Sequence, residues 1–307
     1  EEAEMVVRAI EQAIAQQKVS PGAFAIMYRT NAQSRLLEEA FRRQGLSYRL
    51  VGAQRFYGRR EVKDLIAFMR LVYNPLDEIS LRRVINLPPR GIGDKTIEKI
   101  AQLAAEEGLS MGEILLGLGH GNPAWQEALG RESARLSGFG RLLLGWRECA
   151  DKNPITVLFD RILEDVGYQA HILDQSEEGL DRWENVLELR AVVLEYEEQG
   201  LQAFLESMAL VADQDTLPES VDAPTMLTLH AAKGLEFDQV FITGLDEMLL
   251  PHSRSRDDEE DLAEERRLLY VGITRARHRL TLTRARRRRS PYGSYEETIP
   301  CRFLDDI

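Results

Sequence analysis

Polar residues suited to phosphate or nucleic-acid chemistry cluster in the stretch TLHAAKGLEFDQVFITGL, positions 228–245. It contains Thr228, His230 and the pair Lys233-Gly234. A phosphate-binding P-loop reads G-x-x-x-x-G-K-[ST], with the glycine-rich turn ahead of the lysine. Here the glycine follows the lysine, and the P-loop pattern occurs nowhere in the 307 residues. The stretch therefore has polar groups suited to a nucleotide-driven enzyme but no cradle for the phosphates.

A second candidate is PPRGIGDKT, positions 88–96, where two glycines precede a predicted helix. Glycine lets the backbone approach a phosphate closely. The amides at the start of the following helix, near Asp94 and Thr96, would point outward as donors to an anion. Lys95 adds a neutralising positive charge. A short G-x-G pattern is also typical of an ordinary tight turn, so both interpretations stay open.

Charge is distributed unevenly along the chain. Acidic residues collect in DDEEDLAEE, positions 257–265, and basic residues in RARRRR, positions 284–289. The formal net charge of -12 argues against a protein that coats nucleic acid over its whole surface. Net charge describes solubility and steering, however, and does not describe one face. Either run could also be a solvated face.

Length and composition predict a soluble globular protein. A chain of 307 residues with 44% hydrophobic residues can form two domains, each with its own core. No run reaches the roughly 18 apolar residues of a membrane helix, and the acidic start does not resemble a signal peptide. We therefore expect a cytoplasmic protein without a membrane partner. The two cysteines and five histidines lack zinc-ligand spacing, which predicts neither a disulfide framework nor a metal site.

The elements that must position these residues follow two patterns. Residues 24–52 predict a strand, a helix and a strand, and strand patterns return from residue 225 in TMLTL, QVFITGL and RLTLT. The stretch EERRLLYVGITRAR predicts a helix before the last of these strands. Residues from about 56 to 222 show helical periodicity instead. The pattern predicts an α/β domain with a parallel sheet, split in sequence by an inserted all-α domain.

Five motifs follow one another along the chain: YRTNAQSRLLEEAF, YRLVGAQRFYGRREVKD, PPRGIGDKT, TLHAAKGLEFDQVFITGLDE and EERRLLYVGITRAR. In this order they resemble the UvrD/PcrA/Rep group of superfamily 1 DNA helicases. The resemblance implies that residues 1–55 and 223–307 form the second RecA-like motor domain, and that residues 56–222 form the inserted helical accessory domain. The P-loop and the rest of the first motor domain are missing. We therefore expect this chain to be the carboxyl-terminal part of a longer helicase.

The resemblance also implies which residues contact ATP. Glu236, with Gly234 beside it, would bind the nucleotide through the ribose hydroxyls. Arg275 would be the arginine finger, a catalytic role that suits a planar and permanently charged guanidinium. Without the resemblance, Arg275 would be interpreted as an arginine on the surface of a helix. ATP with Mg²⁺ would be bound mainly by the missing amino-terminal motor domain, and no metal ligands are expected in this chain.

The remaining expected sites bind DNA. The resemblance implies contacts to single-stranded DNA from five residues: Arg29, Asn31, Thr228, His230 and Tyr292. It implies duplex contacts from the residues of the glycine turn: Arg90, Gly91, Ile92, Gly93, Lys95 and Thr96. Aromatic stacking tolerates any base, which suits a motor that moves along DNA. The alternatives are a capped strand end with a hydrogen-bonded histidine for Thr228 and His230, and a turn residue for Tyr292.

Together these features predict the carboxyl-terminal half of an ATP-dependent DNA helicase of repair or replication. Its partners would be single-stranded and duplex DNA, the missing motor domain and repair proteins, and a 3′ to 5′ direction enters only through the resemblance. The chain alone is expected to be inactive. The alternative is a non-motor module, derived from a helicase, that binds duplex DNA or docks proteins. A helicase relative fused to a nuclease is a weaker alternative, because no paired-carboxylate nuclease cluster stands out.

Overall fold

The computed structural model describes residues 1–213 and 222–307. The strands in this part of the chain are β1 Phe24–Tyr28, β2 Arg49–Val51, β3 Thr225–Thr228, β4 Phe237–Ile242, β5 Ala276–Leu282, β6 Arg287–Arg289 and β7 Tyr295–Glu297. The helices are α1 Glu2–Gln17, α2 Ser34–Arg43, α3 Arg60–Tyr73, α4 Glu78–Val84, α5 Asp94–Glu107, α6 Met111–Gly119, α7 Pro123–Leu129, α8 Ser133–Lys152, α9 Ile155–Val166, α10 Tyr168–Ile172, α11 Glu177–Glu195, α12 Gly200–Asp213 and α13 Glu259–Ile273. None of the described helices is long and apolar enough to cross a membrane.

The chain divides into two compact units. One contains Glu1–Gly58 and the described residues of Gln214–Ile307, and the other contains Arg59–Asp213. All described strands belong to the first unit, and α3 to α12 form the second. The predicted domain boundary at residues 222 and 223 adjoins residues 214–221, which lie outside the described part of the chain.

The first unit is built on a five-stranded sheet with the order β2-β3-β1-β4-β5. Every neighbouring pair in it is parallel. The central strand β1 is buried along its whole length, as expected when both faces of a parallel sheet are covered. Alternate residues of a strand point to opposite faces. The α/β fold class with a parallel sheet is therefore confirmed.

Each face of the sheet packs on its own apolar layer. Phe24, Ile26 and Tyr28 of β1 pack in a cluster that includes Val6 of α1 and Phe41 of α2. On the opposite face, Ala25 and Met27 belong to a second cluster, which includes Leu227 of β3, Ile242 of β4, and Leu268 and Leu269 of α13. These two layers fix α13 and the strand ends that carry the candidate site residues.

The second unit is entirely helical in its regular elements. Glycines allow α6 and α8 to approach closely, since a Cβ at Gly140 would lie 2.1 Å from the carbonyl oxygen of Leu115. The fully buried ring of Trp146 makes edge contacts with Phe68 and Phe139, at centroid distances of 5.7 and 6.0 Å. This core supports α5, whose first residue follows the glycine turn.

Candidate nucleotide and nucleic-acid sites

The candidate residues of the α/β unit lie at two opposite edges of the sheet. Thr228 ends β3 beside Tyr28, which ends β1. Glu236 and Arg275 instead immediately precede β4 and β5. Because the strands are parallel, one edge collects the carboxyl ends and the other collects the amino ends. These edges are called the carboxyl edge and the amino edge below.

The stretch from Thr228 to Glu236 connects the two edges. Thr243, directly after β4, donates its backbone N–H to the carbonyl of Met27 and is therefore level with the end of β1. The six residue steps from Phe237 to Thr243 span about 20 Å at roughly 3.3 Å per step. The eight steps from Thr228 to Glu236 cover this distance. The motif thus joins two candidate sites by a short connection.

Arg275 is held at the amino edge by three hydrogen bonds of its guanidinium. Nε donates to the carbonyl of Val271 at 3.0 Å, Nη1 to the carbonyl of Leu235 at 3.2 Å, and Nη2 to Oγ1 of Thr274 at 3.0 Å. The Val271 carbonyl is at the carboxyl end of α13, where a cation is favourable. A guanidinium has five N–H donors, so two remain after these bonds. The side chain is only partly buried and can present these donors to a ligand.

Glu236 is exposed and lies next to Arg275 in the structure. The backbone carbonyl of Arg275 accepts a hydrogen bond from the N–H of Phe237 at 3.0 Å. Together with the bond to the Leu235 carbonyl, Arg275 therefore holds both residues that flank Glu236. The Glu236 carboxylate pairs with Arg277 at 3.0 Å. The structure brings together the two residues that the sequence predicted to contact nucleotide.

The chemistry of the amino edge fits part of a nucleotide site. An exposed carboxylate can accept from ribose hydroxyls, and a partly exposed guanidinium can bind phosphoryl oxygens. Gly234 has a φ of 83°, and a Cβ there would meet no atom within 4 Å. This glycine is therefore needed for its backbone conformation rather than for lack of space. Among the described residues, no group of three His, Cys, Asp or Glu side chains could hold a metal ion.

At the carboxyl edge, Thr228 and His230 begin the connection. Oγ1 of Thr228 accepts a hydrogen bond from the N–H of Ala231, at 3.3 Å, in the short 3₁₀ turn His230–Ala232. Thr228 is partly buried, whereas His230 is exposed. The strand-end cap and an exposed histidine are thus both present. Of these two side chains, His230 is therefore the more accessible.

Arg29, predicted to contact single-stranded DNA, is buried in an ion pair. Its Nη2 lies 2.6 Å from Oε1 of Glu265, and its Nε lies 2.9 and 3.0 Å from the two carboxylate oxygens. Glu265 also accepts from the N–H of His252 at 3.2 Å and from the hydroxyl of Ser255 at 3.3 Å. Burial opposes ionisation of Glu265, but the bonds to Arg29 and its charge outweigh burial and lower the pKa. Arg29 therefore fastens β1 to α13 instead of facing a ligand.

Asn31 lies in a tightly bonded turn after β1. Oε1 of Gln33 accepts from the backbone N–H groups of Arg29 and Thr30, at 3.0 and 2.9 Å. Oδ1 of Asn31 is buried and has no hydrogen-bond partner among residues 1–213 and 222–307. The turn keeps Asn31 at the carboxyl edge, next to the end of β3.

Tyr292 lies in the turn of a hairpin that the sequence did not predict. The basic run forms β6, which pairs with β7 in an antiparallel ribbon. Arg287 and Arg288 lie opposite Glu297 and Glu296 in the register, and opposite charges at paired positions favour pairing of the two strands. The Tyr292 side chain is 69% exposed. Its exposure is compatible with base stacking, and the sequence signal for the hairpin was the Pro-Tyr-Gly turn after the arginines.

The hairpin is anchored by Arg288, the most protected arginine of β6. Nε donates to Oδ2 of Asp246 at 2.8 Å, and Nη2 donates to Oε2 of Glu2 at 2.8 Å. Glu2 in turn accepts from the N–H of Gly244 at 3.0 Å and from the hydroxyl of Thr283 at 2.7 Å. Burial acts to lower the pKa of Arg288, but the two carboxylates outweigh it and raise the pKa. This network ties the hairpin to α1 and to the carboxyl edge.

In the helical unit, Arg90 turns inward and supports the glycine turn. Its Nε donates to the carbonyl of Pro88 at 3.3 Å, Nη2 donates to the carbonyl of Leu87, and the guanidinium lies over the ring of Phe139 at 5.1 Å. Burial lowers the pKa of Arg90 to about 10. Arg90 was predicted to contact duplex DNA, but these contacts give it a structural role in the turn. Gly91 is equally constrained, because its φ is 76° and a Cβ would lie 3.1 Å from Arg135.

The remaining residues of the turn divide into buried and open positions. Ile92 and Thr96 are buried, whereas Gly93 and Lys95 are exposed. Gly93 is the N-cap of α5, with no side-chain cap, and a Cβ there would meet no atom within 4 Å. The open side of Gly93 and the exposed Lys95 are therefore the parts of the turn that a phosphate could reach.

Comparison with known proteins defines the class of this chain. The UvrD-like helicase C-terminal domain matches residues 1–117 and 141–287, and the chain belongs to this family. A similar protein is the ATP-dependent DNA helicase PcrA of Bacillus subtilis, 40% identical over 294 residues that cover 92% of this chain and 39% of that protein. PcrA of Staphylococcus epidermidis is 39% identical with the same coverage, and PcrA of Staphylococcus aureus is 38% identical. The chain thus corresponds to the carboxyl-terminal part of such a helicase and spans about two-fifths of the length of these relatives.

Proposed function

We propose that this chain supplies the second RecA-like motor domain and the helical accessory domain of a PcrA-like, ATP-dependent DNA helicase. The observation that carries the proposal is the arrangement at the amino edge. Arg275 holds both residues that flank Glu236, so a guanidinium and a carboxylate are presented together. A module that only binds DNA has no need of this pair.

Arg275 is proposed as the arginine finger and Glu236 as the ribose contact. ATP, bound with Mg²⁺ mainly by the amino-terminal motor domain, supplies the phosphoryl group that is transferred to water. Arg275 would stabilise the negative charge that develops on the phosphoryl oxygens, using donors left after its three protein contacts. Glu236 would orient the nucleotide by accepting from its ribose. The three hydrogen bonds that hold the guanidinium of Arg275 would reduce the reorganisation needed in the reaction.

His230, Thr228, Asn31 and Tyr292 are proposed to contact single-stranded DNA at the carboxyl edge. Tyr292 would stack on a base, while the polar groups would contact the backbone. The connection from Thr228 to Glu236 offers a direct route by which DNA and nucleotide affect each other. The 3′ to 5′ direction of movement is part of the proposal and rests on the relatives' family.

The glycine turn of the helical unit is proposed to bind a duplex phosphate. Gly93 provides close backbone approach, the first amides of α5 provide donors, and Lys95 provides positive charge. Arg90, Gly91, Ile92 and Thr96 maintain the shape of the turn. Such binding would be independent of base sequence, because it uses only the phosphate backbone.

The proposal is tested by comparing the purified chain with the full-length protein that contains it. We expect the full-length protein to hydrolyse ATP in response to single-stranded DNA and to unwind a duplex with a 3′ tail. The chain alone should bind ATP weakly and not hydrolyse it, because it has no P-loop. Hydrolysis by the chain alone, or a full-length protein without DNA-stimulated hydrolysis, would contradict the proposal.

A further inference from the structure

Arg277, two residues after the proposed finger, makes a specific contact with Glu236. Both Nε and Nη2 of Arg277 lie 3.0 Å from Oε2 of the carboxylate. Within the described part of the chain, no hydrogen bond to the other carboxylate oxygen, Oε1, is found. One oxygen of Glu236 is thus held by protein, and the second remains available as an acceptor.

A local irregularity in the sheet places Arg277 at this position. From Phe237 to Gln239, β4 advances by two residues, whereas β5 advances by three, from Ala276 to Arg279. An extra residue in one strand redirects side chains and is frequent beside functional sites. The two residues of β5 at this irregularity, Arg277 and His278, each lie close to an acidic residue at the start of β4. Arg277 pairs with Glu236 at 3.0 Å, and Nδ1 of His278 lies 3.5 Å from Oδ1 of Asp238.

The backbone around Glu236 is already fixed by Arg275, so the remaining freedom is in the Glu236 side chain. Arg275 binds the carbonyl of Leu235 and accepts from the N–H of Phe237. An exposed glutamate populates several rotamers, and ordering it on ligand binding costs conformational entropy. A guanidinium that binds one carboxylate oxygen at two points selects among these rotamers before the ligand arrives.

We propose that Arg277 is a positioning residue for nucleotide selection. It holds Oε2 of Glu236, so that Oε1 accepts a hydrogen bond from a ribose hydroxyl of the bound nucleoside triphosphate. This inference rests on the proposed role of Glu236. Arg277 acts through Glu236 and increases the preference of the site for ribonucleotides over deoxynucleotides.

The strength of the effect follows from the exposure of the pair. The side chains of Arg277 and Glu236 are 56% and 53% exposed. An exposed ion pair is weak, so loss of Arg277 should raise KM for ATP about two- to fivefold without a comparable change in kcat. Salt screens exposed pairs, so the difference between wild type and variant should shrink at high ionic strength.

The experiment measures DNA-stimulated hydrolysis by the full-length protein with ATP, 2′-deoxy-ATP and 3′-deoxy-ATP. The variants are Glu236→Gln, Arg277→Gln, Arg277→Lys and the double variant Glu236→Gln/Arg277→Gln. Arg279→Gln, an exposed arginine further along β5, is the matched control. Thermal unfolding of each variant verifies that the fold is retained.

Glu236→Gln should lower the preference for ATP over at least one deoxynucleotide. Arg277→Gln should lower the same preference, Arg277→Lys should lie between it and wild type, and Arg279→Gln should match wild type. In the Glu236→Gln background, Arg277→Gln should have no further effect, because the group it positions is changed.

Two outcomes would overturn the inference. If Glu236→Gln lowers the ribose preference but Arg277→Gln does not, Arg277 is only a surface partner and the proposed role of Glu236 stands. If neither variant changes the preference, the ribose role of Glu236 is wrong and the role of Arg277 falls with it. Hydrolysis that still depends on Arg275 would then leave the proposed helicase function intact.

Discussion

Charged side chains serve different purposes at the two edges of the parallel sheet. At the amino edge, Glu236 and Arg277 form an ion pair in which each side chain is more than half exposed. At the carboxyl edge, Arg29 and Glu265 form a pair whose side chains are only 7% and 3% exposed. Exposed pairs contribute little stability but remain accessible to a ligand. Buried pairs cannot lose one partner without leaving a charge in the interior.

The type of a residue at a strand end does not reveal its role. Arg29 and Arg275 both occur next to a strand in motifs that resemble helicase motifs. One is enclosed by Glu265, while the other is partly exposed and bonded mainly to backbone carbonyls. Burial and bonding partners distinguish Arg29, which has a structural role, from Arg275, the candidate catalytic arginine.

The largest expected effect is at the amino edge. Arg275→Ala in the full-length protein should lower the rate of ATP hydrolysis by roughly a thousandfold, as expected for loss of an arginine finger. Nucleotide and DNA affinities should stay within a few-fold. Steady-state hydrolysis and nucleotide titrations measure the two quantities, with Arg279→Ala as a control on β5. A rate reduced less than about tenfold would reassign Arg275 to local structure.

A large effect on stability is expected at the carboxyl edge. Arg29→Met should lower the free energy of unfolding by about 3 kcal/mol, because Glu265 remains buried without its partner. Arg43→Ala, which breaks an exposed pair with Glu4, should cost less than about 1 kcal/mol. Chemical denaturation measures both values. Equal losses would mean that burial does not distinguish the pairs.

The same pair predicts a dependence on pH. The pKa of Glu265 is lowered in the folded protein from a reference value of 4.5. A carboxyl with a lowered pKa stabilises the fold above its unfolded pKa, and this contribution is lost as pH falls through the folded pKa. Denaturation of the wild type should therefore show a loss of stability below about pH 4.5 that is reduced in a double variant, Arg29→Met/Glu265→Leu.

An intermediate effect is expected at the hairpin, where one arginine is partly buried and its neighbours are exposed. Arg288→Gln should weaken single-strand binding about tenfold. Asp246 would lose its charged partner, and the hairpin that carries Tyr292 would lose its anchor. Arg287→Gln and Arg289→Gln should each weaken binding only about two- to threefold, as expected for the loss of an exposed charge. Titration of a labelled oligonucleotide measures these affinities. A loss for Arg288→Gln no larger than for its neighbours would exclude a positioning role.

The smallest expected effect concerns the glycine turn of the helical unit. Lys95→Ala should lower the slope of log affinity against log salt for duplex DNA by about one, which corresponds to one phosphate contact. Gly93→Val should weaken duplex binding further, and its φ of -88° together with the open space around a Cβ predicts that the fold is retained.

Single-strand binding serves as the control for the glycine turn, since the residues proposed for it belong to the α/β unit. Titrations of duplex and single strand at several salt concentrations, with circular dichroism, measure both affinities. Unchanged duplex binding, or equal losses on both DNAs, would assign the turn a structural role only.

The fold class and the elements that carry the motifs could be predicted from local sequence patterns. Apolar runs such as FAIMY predicted buried strands, and helical periodicity predicted a helical insertion, because backbone periodicity and burial act over a few residues. The long helix α8 did not stand out, since Gly138, Gly140 and Gly145 interrupt its apolar pattern. The β6–β7 hairpin was also missed, because a run of arginines is typical of a solvated face. The assignment of Glu236 and Arg275 to one site came from the resemblance and remains a proposal.

The pairing of charged residues depends on the tertiary structure. Arg29 and Glu265 are 236 positions apart, and Arg288 and Glu2 are 286 apart. The local sequence pattern does not link such residues. Each motif is equally compatible with a charged side chain that contacts a ligand and with one that pairs with a residue far along the chain. Sheet order and register bring the segments together, and burial then makes an unpaired charge too costly to tolerate. For this reason the sequence identified the motifs, whereas the fold assigned Arg29, Arg90 and Arg288 to support and left Arg275 and Glu236 accessible.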